Sequence, residues 1–393
     1  MIPYEEARRA VVDTGWVMPA ITVPLADALG SVLACDVQSD VDMPPFNKSS
    51  MDGYACRAED AAGPLQVLEH IAAGRVPTRP ITPGTCSKIM TGAPVPEGAD
   101  CVLIVEEMAE VGGGMVRFTG SEVKRNICPA GEDVRRGDTV LRAGTLLRAQ
   151  HLPILASAGC ANPSVHARPK VAILATGDEL APPDATPGPG QIRNSNSVQL
   201  TALARGAGAD ATDLGIVRDN EAAMRHAWER ALAERDVVLS TGGVSMGDYD
   251  LVPEILAGAG FTIHFDRVAI QPGKPILFGT RGRQACFGLS GNPVSSFLQF
   301  TLFVKPFLRH LQGTQPQSET LTLTLGEDFT RRNTGRMAWV PIRIDDNGRV
   351  LAVDFHGSAH INALAGAGGL IAFPQGIATL HAGDTVPVLL LDR

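Results

Sequence analysis

The stretch Asp236-Val-Val-Leu-Ser-Thr-Gly-Gly-Val-Ser-Met-Gly-Asp-Tyr-Asp250 ends an apolar run in small residues and then two carboxylates. Glycines at 242, 243 and 247 let backbone N–H groups approach an oxyanion closely, and Asp248 and Asp250 suit a divalent cation that screens it. A Gly-Gly pair after a strand is also an ordinary turn, so this motif alone leaves both readings open. Two further apolar runs end in the same way. Val171-Ala-Ile-Leu-Ala175 leads into Thr176-Gly-Asp-Glu-Leu180, and Ala285-Cys-Phe-Gly-Leu289 leads into Ser290-Gly-Asn-Pro-Val-Ser-Ser296. In the last motif Asn292 is a natural N-cap and Pro293 fits the first helical position. The free N–H groups of that first turn are therefore expected to face outward as an anion site.

The elements between these motifs decide whether they meet. A helix opened by Asn194-Ser-Asn196 places Leu200, Leu203 and Ala207 on one face, and Met224, Ala227, Trp228, Ala231 and Leu232 repeat at helical spacing in another. Strands alternating with amphipathic helices predict a mostly parallel α/β sheet with helices on its faces. Parallel crossovers put strand C-termini on one edge. The three motifs, with Arg218-Asp-Asn220 after Leu214-Gly-Ile-Val217, are expected to gather there, where open α/β sheets bind ligands.

At 393 residues the chain has room for two to four domains of roughly 100–200 residues each. A net charge of −8 without a lysine or arginine block argues against a nucleic-acid-coating surface. No apolar run approaches the roughly 18 residues of a membrane span, and Glu5 and Glu6 stand where a signal peptide would be apolar, so a cytoplasmic protein is expected. Seven scattered cysteines without a C-x-x-C pair indicate reduced, mostly buried thiols. His356 and His360 lie four apart without an H-E-x-x-H pattern and read as loop histidines. Neither a Walker motif nor a Rossmann fingerprint occurs; Gly112-Gly-Gly114 reads as a hairpin turn.

Shifts in composition divide the chain. A helical pattern runs from Tyr4 to Val12 and resumes through Leu25–Leu33, until Pro44-Pro45 stops any helix. Residues 40–130 are rich in Gly, Pro and short β-prone runs such as Cys101-Val-Leu-Ile-Val105, which suggests an inserted β-rich domain. Residues 1–39 and 131–168 are expected to form one discontinuous N-terminal domain around it. The α/β domain occupies 169–313 and ends with a helix from Val294 to Leu311, kinked at Pro306. Residues 314–393 open with a polar linker and continue as a C-terminal β-domain, with a hairpin at Asp345-Asp-Asn-Gly348 and a last strand at Asp384–Leu391.

Several motifs occur together and in order: Met43-Pro-Pro-Phe-Asn-Lys-Ser-Ser-Met-Asp-Gly-Tyr-Ala55, Ile89-Met-Thr-Gly-Ala-Pro-Val-Pro-Glu-Gly-Ala-Asp100, Gly131-Glu-Asp133, Thr176-Gly-Asp-Glu-Leu180, Gln191-Ile-Arg-Asn-Ser-Asn196, Ser240-Thr-Gly-Gly-Val-Ser245, Pro272-Gly-Lys-Pro275 and Gly291-Asn-Pro-Val-Ser295. Through them nearly the whole chain resembles the molybdopterin molybdenumtransferases, the family of bacterial MoeA and the gephyrin E-domain. The resemblance implies a homodimer with its site at the subunit interface. It also implies the last step of molybdenum cofactor assembly, in which adenylylated molybdopterin and molybdate are the substrates and AMP is released. The adenylyltransferase of the same pathway is an implied partner. Its single α/β domain also resembles residues 169–313, so molybdopterin adenylyltransferase is an alternative function. A non-catalytic scaffold, like the gephyrin E-domain, is another.

Cleaving a diphosphate beside a molybdate dianion calls for a divalent cation, oriented N–H groups and a few cationic side chains. Asp178, Glu179, Asp219, Asp248 and Asp250 are assigned to the sheet edge, with Glu179, Asp219, Asp248 and Asp250 as candidate Mg²⁺ ligands and Asp178 alternatively a helix cap. Gly177, Ser240, Gly242, Gly243, Ser245, Gly291, Asn292 and Pro293 are expected to line the phosphates. Lys274, stiffened by Pro272, Gly273 and Pro275, and Arg267 supply charge. The resemblance adds Asp52 and Thr91 from the N-terminal β-module, which reach the site only if the partner subunit closes over it, and Arg336 and Ser358 from the C-terminal domain. Asp52, Glu179, Asp219, Asp250 and Lys274 are the candidate catalytic residues. Two departures stand out: many relatives carry lysine at Gln271 and proline at Ser290, so the oxyanion subsite here leans on Arg267 and Lys274.

Overall fold

A computed structural model describes residues 1–243, 252–314 and 320–391. Six strands build the central sheet: β1 (Lys170–Thr176), β2 (Asp210–Val217), β3 (Val237–Thr241), β4 (Thr262–Arg267), β5 (Pro275–Arg281) and β6 (Gln284–Leu289). Their order is β2-β1-β3-β6-β5-β4. The first four are parallel, and β5 runs antiparallel to β6 and β4. This is the mostly parallel sheet that the alternation of elements predicts.

The apolar runs are continuous because the sheet is covered on both faces. Ile173, Leu239, Phe278 and Phe287 join a core with Leu200, Ala204, Phe303 and Phe307 on one side. Ala172, Leu174, Val238 and Cys286 point the other way, into Trp228, Ala231 and Leu256. Alternate residues of one strand thus enter different cores, the period-2 rule of a pleated chain. The helix Ser195–Gly206 is capped by the Asn194 side chain, which accepts the Ser197 N–H at 3.1 Å. Asn220 does the same for Glu221–Glu234, accepting from Ala223 at 2.8 Å.

Two helical expectations change. The run expected as one helix kinked at Pro306 is an α-helix (Pro293–Gln299), a π turn (Phe300–Val304) and a second α-helix (Lys305–Leu311). Pro306 therefore sits in the first turn of a helical segment, where a missing N–H costs little, and the widened turn before it absorbs the misfit. The Leu25–Leu33 pattern yields only a 3₁₀ turn, Leu25–Asp27. Pro24 opens it and Gly30, at φ +76°, closes the segment before a second turn can form.

The first helix, Tyr4–Asp13, packs Ala7 and Val11 into the core that holds Val171 and Phe303. Residues 1–21, 30–34 and 165 onward accordingly form one compact unit, and 22–29 with 35–164 form another. Segment 1–39 is divided between them rather than joining 131–168 as one body. In the first unit, strands Met337–Ile344, Gly369–Phe373, Thr385–Leu390 and Thr320–Thr324 form the C-terminal sheet, with Val350–Ala352 returning after the turn at Asp345. Its edge strand, Ile270–Gln271, comes from the α/β region and pairs in parallel with Met337–Ala338.

The second unit contains a six-stranded sheet in the order Cys101–Ile104, Gly53–Cys56, Thr85–Ile89, Pro64–Ile71, Met115–Phe118, Met108–Gly112. Gly112-Gly-Gly114 joins its last two strands, as expected of a hairpin turn. All seven cysteines are free. Cys56 and Cys101 face each other across adjacent strands with sulfurs 3.5 Å apart, and burial pushes the neighbouring Cys86 thiol up to about 12. Among the described residues no helix is long and apolar enough to cross a membrane.

Candidate active site

Register fixes the meeting of the loops. Thr176 lies opposite Val217, Ala175 opposite Thr241, and Thr241 opposite Leu289. The turns that follow at 177–180, 218–220, 242–243 and 290–293 therefore leave neighbouring strands on the same edge. β1 connects to β2 on one side, and the chain then returns to place β3 on the other. A crevice opens at such a reversal, outside the strand C-termini.

The glycine pair lies hard against β1. Gly242 has φ +90°, and a Cβ added there would stand 2.5 Å from the Thr176 carbonyl oxygen; at Gly243, φ +64°, it would stand 3.1 Å from Thr176 Oγ1. Only glycine allows the backbone this close while keeping its amides near the crevice. The Gly242 N–H donates to Leu289 O at 3.2 Å. Asn196 adds a clasp: its Nδ2 donates to Thr241 Oγ1 and to Gly291 O, both at 2.8 Å, and Thr241 Oγ1 donates to Ser290 O at 3.1 Å. The sequence marks Asn196 only as part of a helix opening. The signal it leaves is a second asparagine where Asn194 alone suffices as the cap.

Thr176 Oγ1, Ser240 Oγ and Asn196 Oδ1 are buried at this edge without a hydrogen-bond partner among the described residues. Buried polar atoms are ordinarily paired, so three orphans beside one crevice mark a polar site. Ser240 is itself wholly enclosed, opposite Leu174 and Gly288, one residue short of the strand end.

The expected open helix terminus after Pro293 requires correction. The Asn292 side chain makes no capping bond; the Asn292 backbone N–H donates to Ser290 Oγ at 3.2 Å. Val294 donates its N–H to the carbonyl of Ser358 at 3.0 Å, and Ser296 donates its own to Asn292 O. The first turn is therefore partly closed by the C-terminal region. Ser358 meets this helix start through its backbone carbonyl.

The acids of the β1 and β2 turns lie at the surface. Asp178 Oδ1 accepts the Asp219 N–H at 3.4 Å and stands 3.9 Å from Arg218 Nη1. The Glu179 carboxylate folds over the Cα of Gly177, where a side chain would displace it. Asp219 is half-buried. Ser245, Asp248 and Asp250 lie outside the described residues. Among the described residues no three His, Cys, Asp or Glu side chains gather as a metal cage. Magnesium needs no such cage: one or two carboxylates with ligand phosphates and water suffice, and the carboxylates of this edge are the hard oxygen donors it takes. His356 and His360 are loop residues with rings stacked at 5.0 Å, and the His356 N–H donates to His360 Nδ1.

Lys274 is exposed in its proline-bounded turn, with its carbonyl accepting the Val268 N–H at 3.0 Å. Arg336 Nη1 donates to Ile270 O at 3.0 Å, so this cation is held on the segment leading to Lys274. Arg267 lies at the other end of the same segment, 3.8 Å from Asp266. In the second unit, Asp52 and Thr91 meet directly. Asp52 Oδ1 accepts the Thr91 N–H at 2.6 Å and its hydroxyl at 2.7 Å, and these bonds hold the carboxyl below the usual range.

A mostly parallel sheet with a glycine-lined crevice, an acidic rim and separate N- and C-terminal β-domains is the organisation of a MoeA-type protein. Family models match along the chain: the MoeA N-terminal region (domain I and II) at residues 2–159, the probable molybdopterin binding domain at 172–310, and the MoeA C-terminal region (domain IV) at 322–391. Molybdopterin molybdenumtransferase of Staphylococcus aureus is 34% identical over 401 residues, covering 100% of this chain and 96% of that protein. The Staphylococcus epidermidis protein of the same name is 33% identical with the same coverage. A solved molybdopterin biosynthesis moeA protein from Pyrococcus horikoshii superposes with a TM-score of 0.85 at 31% identity, covering 100% of both chains. The chain belongs to the molybdopterin molybdenumtransferase family, MoeA, and to molybdenum cofactor biosynthesis.

Proposed function

We propose that this chain is a molybdopterin molybdotransferase: it takes adenylylated molybdopterin and molybdate, inserts the metal at the dithiolene, and releases AMP. The observation that carries the reading is the convergence of four strand-end turns on the β1/β3 crevice, with Gly242 and Gly243 pressed against Thr176. The amides of Gly243 and Gly291 approach the diphosphate, since those of Gly242, Ser290 and Asn292 already donate within the protein. Lys274, Arg267 and Arg336 lower the cost of holding molybdate next to it, a point-charge role for the lysine and a planar one for the arginines. Asp178 and its bond to the Asp219 N–H keep the acidic rim in place. Glu179 and Asp219, with Asp248 and Asp250, would hold Mg²⁺, which supplies charge neutralisation at the diphosphate. The same reading makes the enzyme a cytoplasmic homodimer in which Asp52 and Thr91 come from the second subunit.

The test is a time course of AMP formation from purified adenylylated molybdopterin, with and without molybdate and Mg²⁺. Molybdate-dependent AMP release is expected. Accumulation of adenylylated pterin from molybdopterin and ATP would identify an adenylyltransferase instead. Neither activity, with pterin binding retained, would leave a scaffold.

A further inference from the structure

Gln299 is fully buried at the end of the helix Pro293–Gln299, in a stretch where Leu298, Phe300, Leu302 and Phe303 are buried as well. A primary amide in such a place is costly unless its hydrogen bonds are made. Here they are: Oε1 accepts the Ser290 N–H at 2.8 Å, and Nε2 donates to Gly273 O at 2.8 Å and to Pro275 O at 2.6 Å. The partners belong to two loops. Gly273 and Pro275 flank Lys274, so fixing both carbonyls fixes the residue between them, whose side chain is left exposed. Ser290 begins the turn that Thr241 and Asn196 hold at the crevice. One side chain thus ties the backbone that carries Lys274 to the turn that Ser290 begins.

We propose that Gln299 is a positioning residue that locks the Lys274 turn to the 290–293 turn and thereby sets the molybdate requirement; this rests on the functional reading above. Two variants separate its bonds. Gln299→Glu keeps an acceptor for Ser290 but, neutral in this buried place, offers a single O–H instead of two N–H groups to the Gly273 and Pro275 carbonyls. Gln299→Met fills the space and removes all three bonds.

The experiment combines hydrogen exchange on the full chain with molybdate-dependent AMP release. Faster exchange is expected in both variants at the Gly273 and Lys274 amides and at the Val268 amide, which bonds the Lys274 carbonyl, and at the Ser290 amide only in Gln299→Met. The molybdate concentration for half-maximal rate should rise about tenfold, the loss expected from one misplaced charged contact, with a much smaller change in kcat. In a Lys274→Ala background, Gln299→Glu should add nothing further, since the group it positions is gone. Unchanged exchange at Val268, Gly273 and Lys274 overturns the brace. So does a fall in kcat at unchanged molybdate requirement, or an undiminished effect in the Lys274→Ala background. If the wild-type chain releases no AMP, the functional reading fails, while exchange still decides whether Gln299 locks the two turns. Should Gln299→Met not fold, the near-isosteric Gln299→Glu carries the test.

Discussion

Asp52 takes two hydrogen bonds from one residue: the N–H and the hydroxyl of Thr91 both reach Oδ1, at 2.6 and 2.7 Å. Both favour the ionised carboxylate and lower its pKa, the backbone bond more than the hydroxyl. Asp52 therefore stays charged as pH falls until the medium drops through its depressed pKa, and any contribution of that charge persists to the same point. Asp52→Asn is expected to lower kcat about 10²-fold if the carboxylate handles a proton. Thr91→Val keeps the backbone bond, loses less than about tenfold, and shifts the acid limb of the kcat/KM profile toward higher pH. A profile whose acid limb does not move would remove Thr91 from this role.

Glu179 contributes a carboxylate to the rim and otherwise touches the core little, its carbonyl accepting the Ile192 N–H. Glu179→Ala is expected to leave the thermal midpoint nearly unchanged while reducing AMP release by about 10²-fold or more. Calorimetry and the AMP time course check the two halves separately, and near-normal turnover excludes the residue from the mechanism.

Gly242→Ala combines a φ of +90° with a Cβ 2.5 Å from a backbone oxygen. Its expected cost is about 2 kcal/mol or more, since neither Thr176 nor β3 yields easily inside a sheet. Gly282→Ala is the control: φ is +55° but nothing lies within 4 Å, so about 1 kcal/mol is expected from conformation alone. Urea denaturation of the pair measures the difference, and equal losses would mean the close approach carries no energy.

His264 stacks on Phe278 at 5.2 Å and meets Thr280 Oγ1 through Nε2 at 2.8 Å. Burial pushes its pKa below the ordinary 6.5, because the charged ring loses hydration there. The unfolded chain then takes up the proton first. The stability due to neutral His264 is complete above 6.5 and is lost as pH falls through the depressed folded value. Between about pH 7 and about pH 5, wild-type stability should decline more steeply than that of His264→Gln, as read from urea midpoints. Parallel slopes would exclude this histidine as a source of the decline.

Much of this architecture is legible in the chain. Val171–Ala175 and Val237–Leu239 are continuously apolar because both faces are covered, and a run so short with small residues after it reads as a parallel strand end. The turns at Gly112 and Asp345 follow from residues that tolerate the required backbone. Tertiary ties were not legible. Asn196 reaches a carbonyl 95 residues away and Gln299 one 26 residues away, and neither distance leaves a periodic trace. The helix after Pro293 looked open because its cap is conventionally a side chain; the Ser358 carbonyl that accepts from Val294 belongs to another domain. Leu25–Leu33 misled for the opposite reason, since an apolar repeat between Pro24 and Gly30 has no room to become a helix.

Ile270–Gln271 lies in the α/β region yet completes the C-terminal sheet beside Met337–Ala338. Separated from the α/β region, residues 320–391 would lose that neighbour and bare the backbone of Met337 and Ala338, while Val350–Ala352 still covers Ile342–Ile344. An uncovered apolar edge invites pairing between molecules. The isolated fragment should accordingly be more prone to pair through that strand end than the intact chain, in which Ile270–Gln271 occupies it.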